Sequence, residues 1–235
     1  MTIRTVAETG STNADMLLLA AQGVGEGVWL RAERQTAGRG RLGRVWTAPP
    51  GNLSASTLVR LRPGDPPPAT LALVAAVALH EAVRLFLAPA VPMQLKWPND
   101  LLVAGAKLSG ILLERGGDAV VVGIGVNLAH HPDLPDRPTT SLAAHGVAID
   151  AEAFLDVLAE GFARWLARWR GEGLATLRTA WLAAAHPPGT ALSARLPDGT
   201  VLEGLFDGLD PDGALILRLA SGSRHVIHAA DVFLL

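Results

Sequence analysis

The segment best suited to chemistry lies between residues 38 and 44, where the sequence GRGRLGR intersperses three glycines with three arginines. Guanidinium groups bind phosphate and carboxylate oxygens in pairs, and glycines let the backbone come close to a ligand. The segment is therefore predicted to be a mobile loop that closes over an anion and later releases it. The alternative is a solvated basic loop without a ligand, which the composition of the segment alone does not exclude.

A second candidate is the run KWPND, residues 96 to 100, which ends an apolar strand. Pro98 favours an extended turn, so an ammonium, an amide and a carboxylate project from one rigid corner. Asp100 is predicted to hold Mg²⁺ beside bound phosphates, because that ion prefers a carboxylate combined with substrate oxygens. An Asx turn that caps the strand is the alternative, and these residues fit it equally well.

Three further side chains extend this candidate site. Trp46 follows the glycine-arginine loop and offers a flat face for a base, although a single Trp is more often a core residue. Lys107 begins the apolar run KLSGIL, so its ammonium must either reach solvent or meet an anion. Asn127 ends the glycine-containing strand VVVGIGVN, for which a core strand with a polar end is the alternative interpretation.

The elements that position these residues follow from hydrophobic periodicity. Strands are predicted at 3–8 and 28–33, with a helix between them that is capped by Ser11 or Thr12 and stops at Gly23. Alternation over 53–61 predicts a strand with one buried face, and the apolar run 69–87 predicts a buried helix. Four short runs at 93–97, 101–103, 107–114 and 119–128 predict antiparallel neighbours, followed by helices at 150–170 and 174–185.

The clearest boundary is the HPPG sequence at residues 186–189. Beyond it, the Asp-Gly pairs at 198–199 and 212–213 are typical of hairpin turns between short apolar strands, which predicts a small all-β barrel over 190–235. We therefore expect a catalytic domain over 1–186 that combines helices and strands, and a β-barrel domain over 187–235.

Composition limits the classes of function. Of the 235 residues, 49% are hydrophobic and 18% charged, which is typical of a chain with a substantial core, and the net charge of −2 provides no global field for a polynucleotide or a membrane surface. The chain has no cysteine, which excludes disulfides, thiolate nucleophiles and Cys-type zinc sites. No secretory signal and no apolar run of the ~20 residues that a membrane span needs are found, so a cytoplasmic protein is expected.

In this order, the motifs Ser11-Thr12-Asn13, Gln35, GRGRLGR, KWPND, KLSGIL and GIGVN resemble those of biotin protein ligases. The resemblance implies an α+β fold, with a mixed, mostly antiparallel sheet flanked by helices (class II synthetase-like), and a small C-terminal SH3-like barrel. About ten residues precede Ser11, too few for a helix-turn-helix, so no DNA binding is expected. Family members often carry glycine before the acidic residue of their last motif. This chain has Ala229-Ala230-Asp231 there, so the sequence assigns its C-terminal domain no role in the site.

The resemblance also implies roles for individual residues. The residues implied to bind biotin are Ser11, Thr12, Asn13, Gln35, Arg39, Gly40, Arg41, Lys107 and Gly110, with the first four at the ureido ring. Those implied to bind ATP are Arg41, Arg44, Trp46, Lys96, Asn99, Asp100 and Asn127, with Asp100 also as the metal ligand. Lys107, Arg39 and Arg41 are implied to act in catalysis, with Lys107 steadying the biotin carboxylate and the charge that develops on the α-phosphate.

The implied reaction uses biotin and ATP as substrates, with Mg²⁺. The biotin carboxylate attacks the α-phosphorus to form biotinyl-5′-AMP, and a lysine of the biotin carboxyl carrier protein of acetyl-CoA carboxylase then attacks the anhydride. A lipoate-type ligase and a catalytically idle biotin-binding protein are the competing interpretations. The sequence leaves the oligomeric state open, a homodimer included.

Overall fold

A computed structural model describes residues 1–135 and 137–235 of the protein. The strands over these residues are β1 (Thr2–Thr9), β2 (Val28–Gln35), β3 (Leu53–Arg60), β4 (Met93–Lys96), β5 (Asp100–Val103), β6 (Ala106–Gly116), β7 (Ala119–Val126), β8 (Ala191–Arg195), β9 (Val201–Leu209), β10 (Leu215–Arg218), β11 (Arg224–Ile227) and β12 (Asp231–Leu234). The α-helices are α1 (Thr12–Ala21), α2 (Leu71–Arg84), α3 (Ala151–Glu172) and α4 (Leu174–Ala184).

Short-range hydrogen bonds explain where the helices begin and end. Ser11 caps α1 by accepting a hydrogen bond from the backbone N–H of Ala14, as one of the two predicted caps. Asp150 caps α3 in the same way through the N–H groups of Glu152 and Ala153, and α3 ends at Gly173, whose φ of 70° favours glycine. Most residues of α2 are buried, which confirms the predicted buried helix. Its bounds are slightly narrower than the predicted 69–87.

Seven strands form the larger sheet in the order β1-β2-β3-β7-β6-β5-β4. Strand β1 runs parallel to β2, and the remaining neighbours are antiparallel. This confirms the mostly antiparallel sheet predicted from the short breaks between strands. The glycine-arginine loop leaves the sheet after β2 and returns at β3, while the KWPND corner joins β4 to β5.

The prediction that the 53–61 strand has one buried face is wrong. Every residue of β3 from Leu53 to Val59 is buried. One side of the sheet contacts α2, α3 and α4 over the larger hydrophobic core, and the other contacts α1 over a smaller core around Met16. Both faces of β3 are therefore covered by helices. Its serines and the apolar residues that alternate with them are all shielded from solvent.

Five antiparallel strands form the second sheet in the order β11-β10-β9-β8-β12. The small C-terminal β domain is thus confirmed, but within the described residues β11 and β12 do not pair, so backbone hydrogen bonds do not close a barrel. Trp97 donates its indole N–H to the Gly213 carbonyl at 3.1 Å and joins this sheet to the KWPND corner. No helix of the described chain is long and apolar enough to cross a membrane.

An ion network around Arg170 ties α3 to the sheet. The Arg170 guanidinium bonds both Glu26 oxygens at 2.6 and 2.9 Å, lies 3.4 Å from Asp65, and donates to the Arg60 carbonyl at 2.9 Å. Burial raises the pKa of Glu26, but the hydrogen bond from Arg170, the backbone N–H of Arg60 and the positive charges of Arg170 and Arg62 lower it further than burial raises it. The carboxylate therefore stays ionised at neutral pH.

Replacing Arg170 with alanine should lower the free energy of unfolding by about 2–4 kcal/mol, because it leaves two carboxylates partly buried without their main partner. Urea denaturation at pH 7 measures this change. Because the folded-state pKa of Glu26 is depressed, the stabilisation is fully present above the ordinary glutamate pKa and is lost as pH falls through the folded-state pKa. Arg168→Ala is the matched control: Arg168 pairs with Glu172 on the solvent side of the same helix, so the midpoint should hardly move.

Candidate active site

All fifteen residues predicted for the site line one cavity with a volume of about 270 Å³. The cavity lies between the α1 side of the larger sheet, the glycine-arginine loop, the KWPND corner and strand β12. These residues are Ser11, Thr12, Asn13, Gln35, Arg39, Gly40, Arg41, Arg44, Trp46, Lys96, Asn99, Asp100, Lys107, Gly110 and Asn127. The two unusual segments of the sequence therefore meet at one place.

The charge of the cavity lining is strongly positive although that of the whole chain is slightly negative. Two carboxylates among the lining residues, Asp100 and Asp231, face the six cations Arg39, Arg41, Arg44, Lys96, Lys107 and Arg137. Such a local excess of cations in a concave site attracts polyanions such as nucleotide phosphates. The cavity thus has the electrostatics of a phosphate-binding site.

One end of the cavity is polar and uncharged. The Gln35 side-chain oxygen accepts from the Thr12 backbone N–H at 2.8 Å and from its hydroxyl at 3.0 Å. The Ser56 hydroxyl contacts the Thr12 hydroxyl at 2.7 Å and the Asn13 side-chain oxygen at 2.6 Å, while Asn13 donates to Glu114 at 2.8 Å. Asn13 therefore already has protein partners and holds this cluster in place.

The other end carries two ammonium groups on one carboxylate. Lys107 Nζ lies 2.6 Å from one oxygen of Asp100, and Lys96 Nζ lies 3.2 Å from the other. Burial raises the pKa of Asp100, but the charges and hydrogen bonds of Lys107 and Lys96 lower it by more, so the group remains a carboxylate. Lys96 also donates to the Val232 carbonyl of β12 at 2.9 Å.

This geometry does not fit Asp100 as a magnesium ligand. Both carboxylate oxygens already pair with ammonium groups, and a cation at the same oxygens would meet the repulsion of two lysines. The described residues contain no group of three or more acidic, histidine or cysteine side chains that could hold a metal ion. The predicted metal role of Asp100 is therefore not supported.

Trp46 packs on two residues that have no side chain. A Cβ atom added to Gly125 would lie 2.4 Å from the indole, and one added to Gly110 would lie 3.5 Å from it. Lys107 Nζ lies 5.8 Å from the centroid of the ring. The glycines of β6 and β7 thus make room for Trp46 and whatever it covers.

Asn127 and Asn99 both line the cavity. Asn127 is buried and donates to the Thr140 carbonyl at 3.0 Å, while its side-chain oxygen has no protein partner among the described residues. Asn99 donates to the Ile111 carbonyl at 2.7 Å and accepts from Arg41 at 3.4 Å. A buried amide oxygen without a partner marks a position where a ligand donor can bind.

The C-terminal sheet reaches the glycine-arginine loop, which the sequence did not predict. Asp231 pairs with Arg44 through both its oxygens and lies 3.9 Å from Arg41, which also donates to the Ala230 carbonyl at 3.1 Å. Burial lowers the pKa of Arg41, and the carboxylates of Asp231 and Asp100 oppose this effect. Arg39 extends the other way, to within 3.8 Å of Glu114.

Asp231, Ser54 and Arg137 are among the polar lining residues that the sequence did not predict. Ser56, which is fully buried and holds Thr12 and Asn13 from behind, was not predicted either. Serines alternate in β3 on the side of the sheet that faces α1, and this pattern was the available signal for Ser56. Asp231 begins the last apolar strand, but nothing in the sequence near it indicates a partner 187 residues away.

Comparisons with known proteins find relatives along nearly the whole chain. Residues 16–128 match the Biotin/lipoate A/B protein ligase family, and residues 193–235 match the Biotin protein ligase C terminal domain. A biotin–[acetyl-CoA-carboxylase] ligase of Paracoccus denitrificans is 45% identical over 97% of this chain and 98% of its own. One from Mycobacterium tuberculosis is 37% identical over 97% of this chain and 86% of its own.

Solved structures give the same result for the fold. The biotin protein ligase of Aquifex aeolicus in complex with biotin and ATP superposes with a TM-score of 0.86 over 100% of this chain and 99% of that one, at 24% identity. The Leishmania major enzyme in complex with biotinyl-5-AMP gives 0.70 over 97% and 99%, at 26% identity. With a relative 45% identical along nearly the whole chain, this protein belongs to the biotin protein ligase family.

Proposed function

We propose that the protein activates biotin with ATP to biotinyl-5′-AMP and transfers the biotinyl group to a lysine of a biotin carboxyl carrier protein. One observation carries this proposal: an uncharged cluster of hydroxyl and amide groups and a strongly cationic end lie in the same cavity. Biotin has the complementary polarity, with a neutral ureido ring at one end and a carboxylate at the other. Thr12 and Gln35, with Ser56 holding Thr12 from behind, suit the ring, and Lys107 suits the carboxylate.

The cationic end then serves the first chemical step. The biotin carboxylate attacks the α-phosphorus, pyrophosphate leaves, and negative charge grows on the phosphate oxygens. Lys107 and Arg41 lie where they stabilise that charge, while Arg39, Arg44, Lys96 and Asn99 surround the triphosphate and Asn127 offers an acceptor to the nucleotide. Both nucleophiles belong to substrates, so the protein contributes positioning and positive charge and needs no nucleophile of its own.

Magnesium enters this proposal as part of the MgATP substrate. Phosphate oxygens supply most of the ligands of Mg²⁺ in such complexes, and the ion neutralises charge on the leaving pyrophosphate. Asp100 has the different task of holding Lys107 and Lys96 in place through its two oxygens.

We further propose that the acceptor is the carrier protein of acetyl-CoA carboxylase and that the enzyme works in the cytoplasm. Residues 1–186 would form the catalytic domain and residues 187–235 the β domain, which supplies Asp231 to the site. Strand β1 is a mostly exposed edge of the larger sheet and is the surface on which a homodimer would extend that sheet. Light scattering of the purified protein measures its oligomeric state.

Incubation with MgATP and a set of carboxylic acids tests the proposed activity. We expect biotinyl-AMP and pyrophosphate, detected by mass spectrometry, and biotinylated carrier when the carrier protein is added. Adenylation of lipoate or octanoate while biotin is ignored would make the protein a lipoate-type ligase. Tight binding of biotin without any adenylate would make it an idle biotin-binding protein.

Arg39→Ala should release biotinyl-AMP roughly tenfold faster than the wild type, because a charge-assisted hydrogen bond to the ligand contributes about 1.5–3 kcal/mol. The side chain is half exposed, so the fold should stay intact. A chase with unlabelled biotinyl-AMP after loading with labelled adenylate measures release. Arg34→Ala is the control, because Arg34 pairs with Glu8 on the exposed strand β1. Equal release from wild type and Arg39→Ala would contradict the closing role of the loop.

A further inference from the structure

Ser54 has an unusual environment that the roles described so far do not explain. The residue is 3% exposed and lines the cavity, yet its hydroxyl has no hydrogen-bond partner among the described residues. A buried hydroxyl without a partner is costly, so such groups in binding sites usually meet a ligand atom. Ser54 therefore indicates a contact that is made only when the substrate is bound.

A second unpaired donor lies beside it. Ser54 pairs in register with Gly125, and a Cβ added to Gly125 would lie 2.4 Å from the Trp46 indole nitrogen. That indole nitrogen is also buried without a partner in the described chain. One N–H donor and one O–H donor thus lie beside the same glycine. A single acceptor atom of a ligand can accept a hydrogen bond from each of them there.

The register of the sheet places these donors between the two ends of the cavity. Ser56, two residues along β3 and roughly 6.6–6.8 Å away, belongs to the hydroxyl and amide cluster. Across the sheet, Ser54, Gly125 and Gly110 form a row of paired residues on β3, β7 and β6. At the far end of this row, a Cβ added to Gly110 would lie 3.3 Å from Lys107 Nζ. A ligand that reaches from the cluster to the ammonium must pass this row.

We infer that the Ser54 hydroxyl and the Trp46 indole N–H bind the ring sulfur of biotin. The inference rests on the proposed function, which places the ureido ring at the hydroxyl and amide cluster and the carboxylate at Lys107. Between these two polar ends biotin has one heteroatom, the thioether sulfur, which is a weak hydrogen-bond acceptor. Ser54 is thus a residue that determines specificity for the sulfur-containing ring.

Calorimetric titration of two ligands against two variants tests this assignment. Desthiobiotin keeps the ureido group and the carboxylate of biotin but lacks the sulfur. Ser54→Ala should weaken the binding of biotin about three- to tenfold and change that of desthiobiotin less than twofold. Ser56→Ala is the matched serine variant, and it should weaken both ligands because its hydroxyl holds the cluster at the ureido ring.

The melting temperature of ligand-free Ser54→Ala should not fall, since the hydroxyl that is removed has no protein partner. Equal weakening of both ligands by Ser54→Ala would overturn the assignment to sulfur, and unchanged binding of biotin would overturn any contact with Ser54. Failure of the proposed function is a separate result, since the wild type would then form no biotinyl-AMP from biotin and MgATP, whatever its affinity for the two ligands.

Discussion

Lys107→Met should reduce the rate of biotinyl-AMP formation by about 10²–10³-fold, which is the typical cost of removing one group that stabilises charge in a transition state. The ammonium is held at 2.6 Å from Asp100, and its side chain is 16% exposed, so few water molecules can replace it. Methionine keeps the apolar stem that lies beside Gly110 and removes only the charge. Single-turnover measurement of adenylate formation at saturating biotin and ATP reports the chemical step.

The control for this variant is Arg115→Met, which removes a cation from an exposed position of the same strand. Its adenylation rate should match the wild type. Asp100 loses its strongest partner in Lys107→Met, so a modest loss of stability is also expected, and thermal unfolding separates that effect from the loss of rate. A Lys107→Met enzyme that keeps a third or more of the wild-type rate would exclude Lys107 from the chemical step.

Asp231→Ala should raise the KM for ATP roughly tenfold with little change in kcat. Asp231 lies on the C-terminal sheet and holds Arg41 and Arg44 in place at the cavity. In the variant both guanidinium groups are mobile, so the binding of ATP must immobilise them. Immobilising one such side chain costs about 0.5–1.5 kcal/mol, so two account for a change of this size. Steady-state kinetics with varied ATP measure it, and Asp231→Glu should restore part of the affinity.

Asp207→Ala provides a matched control within the same sheet. Asp207 also pairs with two arginines, Arg218 and Arg224, but all three lie outside the cavity lining. The KM for ATP of this variant should equal that of the wild type. A lower KM in Asp231→Ala would show instead that the carboxylate competes with the phosphates for the two arginines, which would contradict a positioning role.

Much of the chain could be predicted because the relevant interactions are local. The caps at Ser11 and Asp150 bond N–H groups two or three residues ahead, and hydrophobic periodicity marks the strands and helices. The site residues could be named because the motifs occur in one order along the chain, although GRGRLGR alone also fits a solvated loop and KWPND alone an Asx turn. All the predicted site residues line one cavity.

The prediction for β3 was wrong, and the geometry does not support the one for Asp100, because both depend on what packs against an element. The alternation of β3 is that of a strand with one exposed face, but α1 on one side and the other helices opposite bury both faces. Asp100 has the residue type of a magnesium ligand, but the register of β5 with β6 places Lys107 beside it. Neither result can be read from a single segment.

The sequence by itself determined the secondary structure, the division into a mixed sheet and a small β sheet, and the types of residue that carry charge. Tertiary structure alone decided which charges pair, that Asp231 serves a loop 187 residues earlier, and that the Ser54 hydroxyl remains without a partner inside the cavity. The physical reason is range: helix caps and turns form within a few residues, whereas sheet register and domain packing bring together groups from distant parts of the chain.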